Sequence, residues 1–260
     1  MATQPLDLSA ARILVTNDDG IHAPGLKVLE RIAKTLSKDV WVVAPESEQS
    51  AVAHALTVRR PLRKRRLARR RYAVDGTPTD CVLIASLSIL KDRPPDLVLS
   101  GINHGGNLGE DVTYSGTVAA AMEAALLGLH AVALSQPRPA DGVINWATAE
   151  TFAPVILRKL ASMSWPRDVL INVNFPRVPP DEVTGIQPCR QGRRAGGTEI
   201  IDGVDPGGRP YLWIGDYGGD ETTAKGTDLA AVAAGAISVT PLHLDLTHRR
   251  SLKQLAALFG

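Results

Sequence analysis

The feature that most constrains this chain is an alternation: short runs of apolar, mostly branched residues, each stopped by a turn, are followed by stretches of helical period. Ile13-Leu14-Val15-Thr16 runs into Asn17-Asp18-Asp19-Gly20, and Leu26, Leu29, Ile32, Ala33 and Leu36 then recur on one helix face. Pro24 sits near that helix start, where its missing N–H costs nothing. Val40 to Ala44 is stopped by Pro45, and Leu97 to Ser100 ends at Gly101. Ala-rich Thr117 to Leu127 predicts a helix with Gly128 as its C-terminal cap, and Ala131 to Leu134 predicts the next strand. Strands that are apolar throughout belong to parallel sheets covered on both faces. The expected fold class is therefore α/β, with a mostly parallel sheet and helices on both faces.

The second half is less regular. A helix pattern covers about 147 to 160, and Val169 to Asn174 reads as a strand closed by Phe175-Pro176. Residues 176 to 227 are rich in Gly and Pro, with Asp205-Pro206-Gly207-Gly208 marking a turn, which predicts a β-hairpin extension that leaves the sheet. Ala236 to Val239 returns as a strand, and Leu252 to Leu258 predicts a C-terminal helical segment. The expectation is one domain over 1–260, its core at about 10–175 and 228–245, its hairpin extension at about 176–227 and its C-terminal segment at about 246–260. Hydrophobic residues at 44% and charged residues at 22% suit such a domain. No apolar run reaches the roughly 18 residues of a membrane span, and the opening MATQPLDLSAARILV lacks the pattern of a secretory signal. Two distant cysteines, Cys81 and Cys189, suggest neither a disulfide framework nor a zinc site. These features predict a cytoplasmic protein.

In open α/β sheets ligands bind beyond the carboxyl ends of the strands, and three such ends carry reactive groups. Asn17-Asp18-Asp19-Gly20 places two adjacent carboxylates at a turn, where they repel each other unless a cation offsets them; helix capping and Asx-turn formation are the alternative reading. Pro45-Glu46-Ser47-Glu48-Gln49-Ser50-Ala51 offers hydroxyl, amide and carboxylate oxygens, or is a plain turn. Ser100-Gly101-Ile102-Asn103-His104-Gly105-Gly106-Asn107-Leu108-Gly109 leads to Tyr114-Ser115-Gly116-Thr117, where a helix start offers free N–H groups to an anion; a Gly-rich turn before a capped helix is the alternative. The spacing matches neither of the common nucleotide-binding glycine signatures. Together these groups form an all-oxygen donor set for a hard cation, Mg²⁺ or Mn²⁺. Such a site suits phosphate-ester hydrolysis.

The same residues carry a resemblance. Thr16 to Ile21 with Ala23-Pro24-Gly25, Ala44-Pro45 with Gln49-Ser50-Ala51, Asp75 to Cys81, Ser100 to Asn103 with Gly105 and Asn107, and Tyr114 to Val118 resemble the SurE family of survival-protein nucleotidases. Gly226-Thr227-Asp228 and Ile237 to Leu242 extend the match along nearly the whole chain. The resemblance implies a Rossmann-like core and a metal-dependent phosphatase that hydrolyses nucleoside 5′- and 3′-monophosphates. It also implies one divalent ion per subunit held by Asp18, Asp19, Ser50 and Asn103, and a homodimer or homotetramer built through the hairpin and an exchanged C-terminal segment. In the expected mechanism Asp19 is the catalytic residue that helps to orient a metal-activated water, while Asn107, Ser115, Gly116 and Thr117 bind the phosphate. His54 and His104 are candidate general bases or hydrogen-bonded loop histidines. Within the family pattern, residues 75–80 contact the nucleoside and Asp228 supports the site. The four tryptophans, at 41, 146, 165 and 213, show no stacking pattern and are expected to serve packing or interfaces.

Charge supplies the rival reading. The net +2 hides nine basic residues and no acid in Arg59 to Arg71, against −7 for the remainder. That run could bind nucleic acid, although aromatics make up only 4% of the chain and only Tyr72 adjoins the run. A non-catalytic nucleotide sensor with the same fold is a second rival. The plain alternative for the run is a solvated hairpin between Thr57 and Tyr72; lying beside the cleft, it would draw anions toward the site.

Overall fold

The computed structural model describes residues 5–138, 142, 144–194, 198–217 and 224–260. Its centre is a nine-stranded sheet. β1 (Arg12–Thr16), β2 (Asp39–Pro45), β4 (Arg71–Val74), β5 (Leu97–Asn103), β6 (His130–Ser135) and β7 (Val169–Asn174) are mutually parallel. β3 (Lys64–Ala68) is antiparallel to β4 and β11 (Ile237–His243) to β7, and β8 (Ile186–Pro188), parallel to β11, closes the far edge, giving the order β3-β4-β2-β1-β5-β6-β7-β11-β8. From β1 the chain winds first toward β2 and β4, then back past β1 to β5, β6 and β7. The order therefore reverses between β1 and β5, where ligands bind in doubly wound sheets.

Strand sequence explains the two-sided burial. In β1, Ile13 and Val15 enter one apolar layer and Leu14 the other, all fully buried. The first layer holds α1 (Pro24–Lys34) and α4 (Ala147–Ala161), through Leu26, Leu29, Ile32, Ile156 and Leu157. The second holds α2 (Pro78–Ile84) and α3 (Gly116–Leu126), where Val118, Ala120, Ala121 and Ala124 bring α3 close to the sheet. α2 starts in a capping box: Asp80 N–H donates to Thr77 Oγ1 at 3.1 Å, and Thr77 N–H donates to Asp80 Oδ2 at 2.8 Å. Gly128 follows α3 with φ 73°, the left-handed conformation that a glycine stop supplies. Cys81 and Cys189 are buried and unlinked.

Two segments differ from the sequence expectation. The basic hairpin is β3–β4, over 64–74, rather than 57–72, because Ala73 and Val74 are buried and pair with β2. Its turn precedes Arg71, which lies level with Val42 and hence with Val15, so the turn points toward the amino ends of the strands. Only the entry to the hairpin passes the carboxyl ends, where Arg63 N–H donates to Asp75 Oδ1. Four arginines of the run are also neutralised locally: Arg60 by Asp75, Arg65 by Glu46, Arg70 by Asp39 and Arg71 by Glu30. In the Gly/Pro-rich stretch, β8 joins the main sheet, while β9 (Thr198–Val204) and β10 (Pro210–Tyr217) form a separate antiparallel ribbon. The ribbon exposes Ile200, Leu212, Trp213 and Ile214, and the terminal helix α6 (Arg249–Phe259) exposes Leu252, Leu255, Leu258 and Phe259. Among the described residues no helix is long and apolar enough to cross a membrane.

Candidate active site

The loops after β1, β2 and β5 meet the first turn of α3 at the carboxyl end of the sheet. A cavity of about 260 Å³ there is lined by Asp18, Ser50, Asn103, His104, Asn107 and Ser115, with Ala51, Asp111 and Tyr114 at its margins. A second cavity, on the Asp19 side, shares His104 with the first.

Asp18 is 5% exposed and lies under the start of α3. Thr117 Oγ1 donates to its Oδ1. Gly116 permits this approach, since a Cβ at that position would stand 2.7 Å from Asp18 Cβ. Burial, and then repulsion by the Asp19 carboxylate, push the Asp18 carboxyl up to about 6, against the pull of the Thr117 hydroxyl. The side chain of Asp19 is also buried, and its Oδ1 is in close ionic contact with His104 Nδ1. That carboxylate raises the pKa of His104, chiefly by hydrogen bonding to the imidazole and more weakly by its charge. His54 lies elsewhere, paired at 2.9 Å with the buried Glu123 of α3.

The other sequence-derived residues sit as follows. Ser50 is exposed on the loop after β2, and its Oγ donates to Glu48 Oε1 at 2.7 Å. Asn103 ends β5; its Nδ2 donates to the Gly105 carbonyl at 3.0 Å, which leaves Oδ1 as its ligand atom. Ser115 caps α3 by accepting from Val118 N–H at 3.1 Å, so its hydroxyl proton stays available to a ligand. Gly116 and Thr117 occupy the first turn, where backbone N–H groups lack helical partners. Asn107 spends its Nδ2 on Ser135 Oγ at 2.7 Å. Residues 75–80 line neither cavity; Asp80 is turned to Thr77 and to Thr57 N–H. Asp228 accepts N–H groups from Gly109, Gly192 and Leu229, and so ties the turn at 109–113 to α5 (Asp228–Ala233).

One group of residues escaped the sequence reading. Asn174 Oδ1 accepts Asn107 N–H at 2.8 Å, while Asn172 Nδ2 and Asn174 Nδ2 both donate to the Asn107 carbonyl, at 2.8 and 3.1 Å. Both amides are fully buried. The signal was present, because Asn172 and Asn174 alternate on one face of a strand end.

The donor set fits a hard divalent cation. Two carboxylates crowd one turn, burial and then the charge of Asp19 push the Asp18 carboxyl up, and Asp19 Oδ1 is buried with only an imidazole against it. A cation between them would relieve both strains, with neutral oxygens from Ser50 and Asn103 completing an all-oxygen set. Among the described residues no three His, Cys, Asp or Glu side chains are arranged to hold a metal ion by themselves.

Comparison with known proteins gives a consistent picture. The family model for survival protein SurE matches residues 13–198. The chain is 60% identical over 253 residues to a 5′-nucleotidase SurE from Paramagnetospirillum magneticum, covering 97% of each chain. It is 56% identical to a protein of the same description from Parvibaculum lavamentivorans, covering 96% of this chain and 91% of that one. The crystal structure of the SurE protein from Aquifex aeolicus superposes with a TM-score of 0.84 at 41% identity, covering 96% of this chain and all of that one.

Proposed function

The chain belongs to the SurE family, and from that premise we infer that it is a 5′-nucleotidase, an enzyme that releases phosphate from nucleoside monophosphates. The observation that supports this reading at the level of residues is one cavity onto which three strand-end loops and a helix start converge. We propose that Asp18, Asp19, Ser50 Oγ and Asn103 Oδ1 hold one divalent cation, Mg²⁺ or Mn²⁺. Bound there, it supplies Lewis-acid neutralisation of the phosphoryl group and a water of lowered pKa.

The chain's own groups do the rest. The free N–H groups of Gly116 and Thr117 and the Ser115 hydroxyl converge on the phosphate, with the positive end of the α3 dipole behind them, and oppose the charge that grows on the phosphoryl oxygens during displacement. Asn107 takes part in this cradle through the second hydrogen of its Nδ2, its backbone being held in place by Asn172 and Asn174. The Thr117 hydroxyl favours the charged form of Asp18 by donating to it, and Asp19 orients the attacking water. 3′-Monophosphates fit the same cradle. The molecule acts in the cytoplasm as a homodimer or homotetramer, a state supported by the exposed apolar residues of the β9–β10 ribbon and α6.

Phosphate release from AMP in Mn²⁺, stopped by chelator, tests the reading. Asp19→Asn should lower turnover by about 100-fold or more and weaken Mn²⁺ binding in calorimetry. Full turnover by that variant in Mn²⁺ overturns the assignment.

A further inference from the structure

Between Asn107 and Ser115 the chain carries Glu110 and Asp111 and no base, whereas residues 190–194 carry Arg190, Arg193 and Arg194 and no acid. The fold sets these two stretches against each other. Arg194 Nε donates to Asp111 Oδ1 at 3.2 Å and its Nη2 to Oδ2 at 2.6 Å, the two-point grip that the planar guanidinium fork makes on a carboxylate. Both side chains are mostly buried, 11% and 16% exposed, so salt screens the pair little. Around it, Arg194 N–H donates to Glu110 Oε2 and Gln191 Nε2 to the Gly109 carbonyl, each at 2.8 Å. Gly192 lets the segments lie this close, since a Cβ there would stand 2.8 Å from Asp228 Oδ1, on the carboxylate that also holds Gly109 N–H.

Asp111 is gripped by its side chain and guides with its backbone. Its carbonyl accepts the N–H groups of Tyr114 and Ser115, both at 3.0 Å, and Ser115 is the residue that lines the cavity and caps α3. Val112, the next residue of the turn, is buried in the second apolar layer, so the turn is fixed by packing on one side and by Arg194 on the other. Asp111 also stands at the margin of the cavity, where an unpaired carboxylate would repel a phosphate; the guanidinium cancels its charge. Arg194 lies shortly before Thr198, where β9 begins. The root of the ribbon is thus fastened to the turn that leads into the phosphate cradle.

We propose that Arg194 is a positioning residue of the phosphate cradle: through its two-point pairing with Asp111 it sets the turn at 109–113, and with it the Ser115 hydroxyl and the free N–H groups of α3, where the phosphate meets them. The proposal rests on the nucleotidase reading and adds to it a residue that does not line the cavity. Arg194 acts through Asp111 and touches no substrate. A lysine could supply the charge at this place but not the fork, so the geometry of the turn depends on arginine itself.

The test uses the full chain in Mn²⁺ with AMP, comparing wild type, Arg194→Met, Arg194→Lys, Asp111→Asn and the double variant R194M/D111N. R194M should lower kcat by about 100-fold, the effect of misplacing a cradle by about 1 Å, with a smaller rise in KM. R194K should recover part of the loss. R194M/D111N, which leaves neither charge unpaired, should lose no more than R194M alone, because the two residues act as one unit. Calorimetry gives a readout without turnover: the affinity of the Mn²⁺-loaded protein for inorganic phosphate should fall in R194M, while the affinity for Mn²⁺ alone stays that of the wild type. Unchanged kcat and phosphate affinity in R194M, single-variant losses that multiply in the double variant, or loss of Mn²⁺ and phosphate binding together overturns the positioning role. Wild-type protein that releases no phosphate from AMP overturns the nucleotidase reading instead, and the phosphate-binding comparison still decides the role of Arg194.

Discussion

Replacing Asp18 with Asn isolates the electrostatic cost that the site imposes on the metal-free fold. Asp18 is 5% exposed, and burial followed by Asp19 repulsion lifts its pKa from 3.8 to about 6. Below about pH 4 the group is protonated in folded and unfolded chains alike, so it costs nothing. Between about pH 4 and 6 the unfolded chain ionises first. Above 6 the folded protein carries a charge that water would solvate better. Stability without metal therefore falls as pH rises through this window, and the span from 3.8 to about 6 is worth about 3 kcal/mol. Asn has nearly the same shape, keeps an oxygen for the Thr117 hydroxyl, and does not titrate. In chelator, the Tm of D18N minus that of wild type should grow between pH 4 and pH 7.5 by about 6 °C, at about 2 °C per kcal/mol for a chain this long. Mn²⁺ at about 1,000 times its Kd should reverse the order, since it adds about 4.1 kcal/mol to a protein that binds it. Melts followed by circular dichroism at four pH values decide the matter. A Tm difference that stays constant from pH 4 to 7.5 in chelator refutes the electrostatic reasoning.

Gly116→Ala should cost about 1–3 kcal/mol in urea unfolding, because the new methyl would meet Asp18 Cβ at 2.7 Å; unchanged stability would show that α3 can retreat. Asn174→Ala removes two hydrogen bonds to the Asn107 peptide and should lower kcat in larger proportion than it raises KM; a change in KM alone would contradict a positioning role. Arg66 and Arg69 of the basic hairpin are exposed and form no ion pair among the described residues. Replacing both with Ala should shift stability by less than about 0.5 kcal/mol and leave AMP hydrolysis intact, and a marked fall in activity would place the hairpin in the catalytic path.

The sequence by itself determined the layers of this protein and the address of its site. Runs such as Ile13-Leu14-Val15 are apolar on both faces, which only a covered parallel strand satisfies, and Thr77 with Asp80 states a helix start in two residues. The three loops that carry Asp18, Asp19, Ser50 and Asn103 stood out because strand ends are where side chains escape the sheet, and the resemblance to the SurE family singled out those four within them. What the chain could not state locally is which strand ends are neighbours. Strand order is set by long-range pairing, and it is the reversal between β1 and β5 that brings Asn103 to Asp18 and Asp19. The same limit hid β8, whose Ile186-Gln187-Pro188 has no apolar pattern of its own and becomes a strand only because β11 offers an edge. It also hid the role of the arginine run, whose charge is visible in sequence while the carboxylates that neutralise four of its members come from 75, 46, 39 and 30. Short-range propensity writes the elements, and tertiary contact between distant loops decides which of their ends become a site.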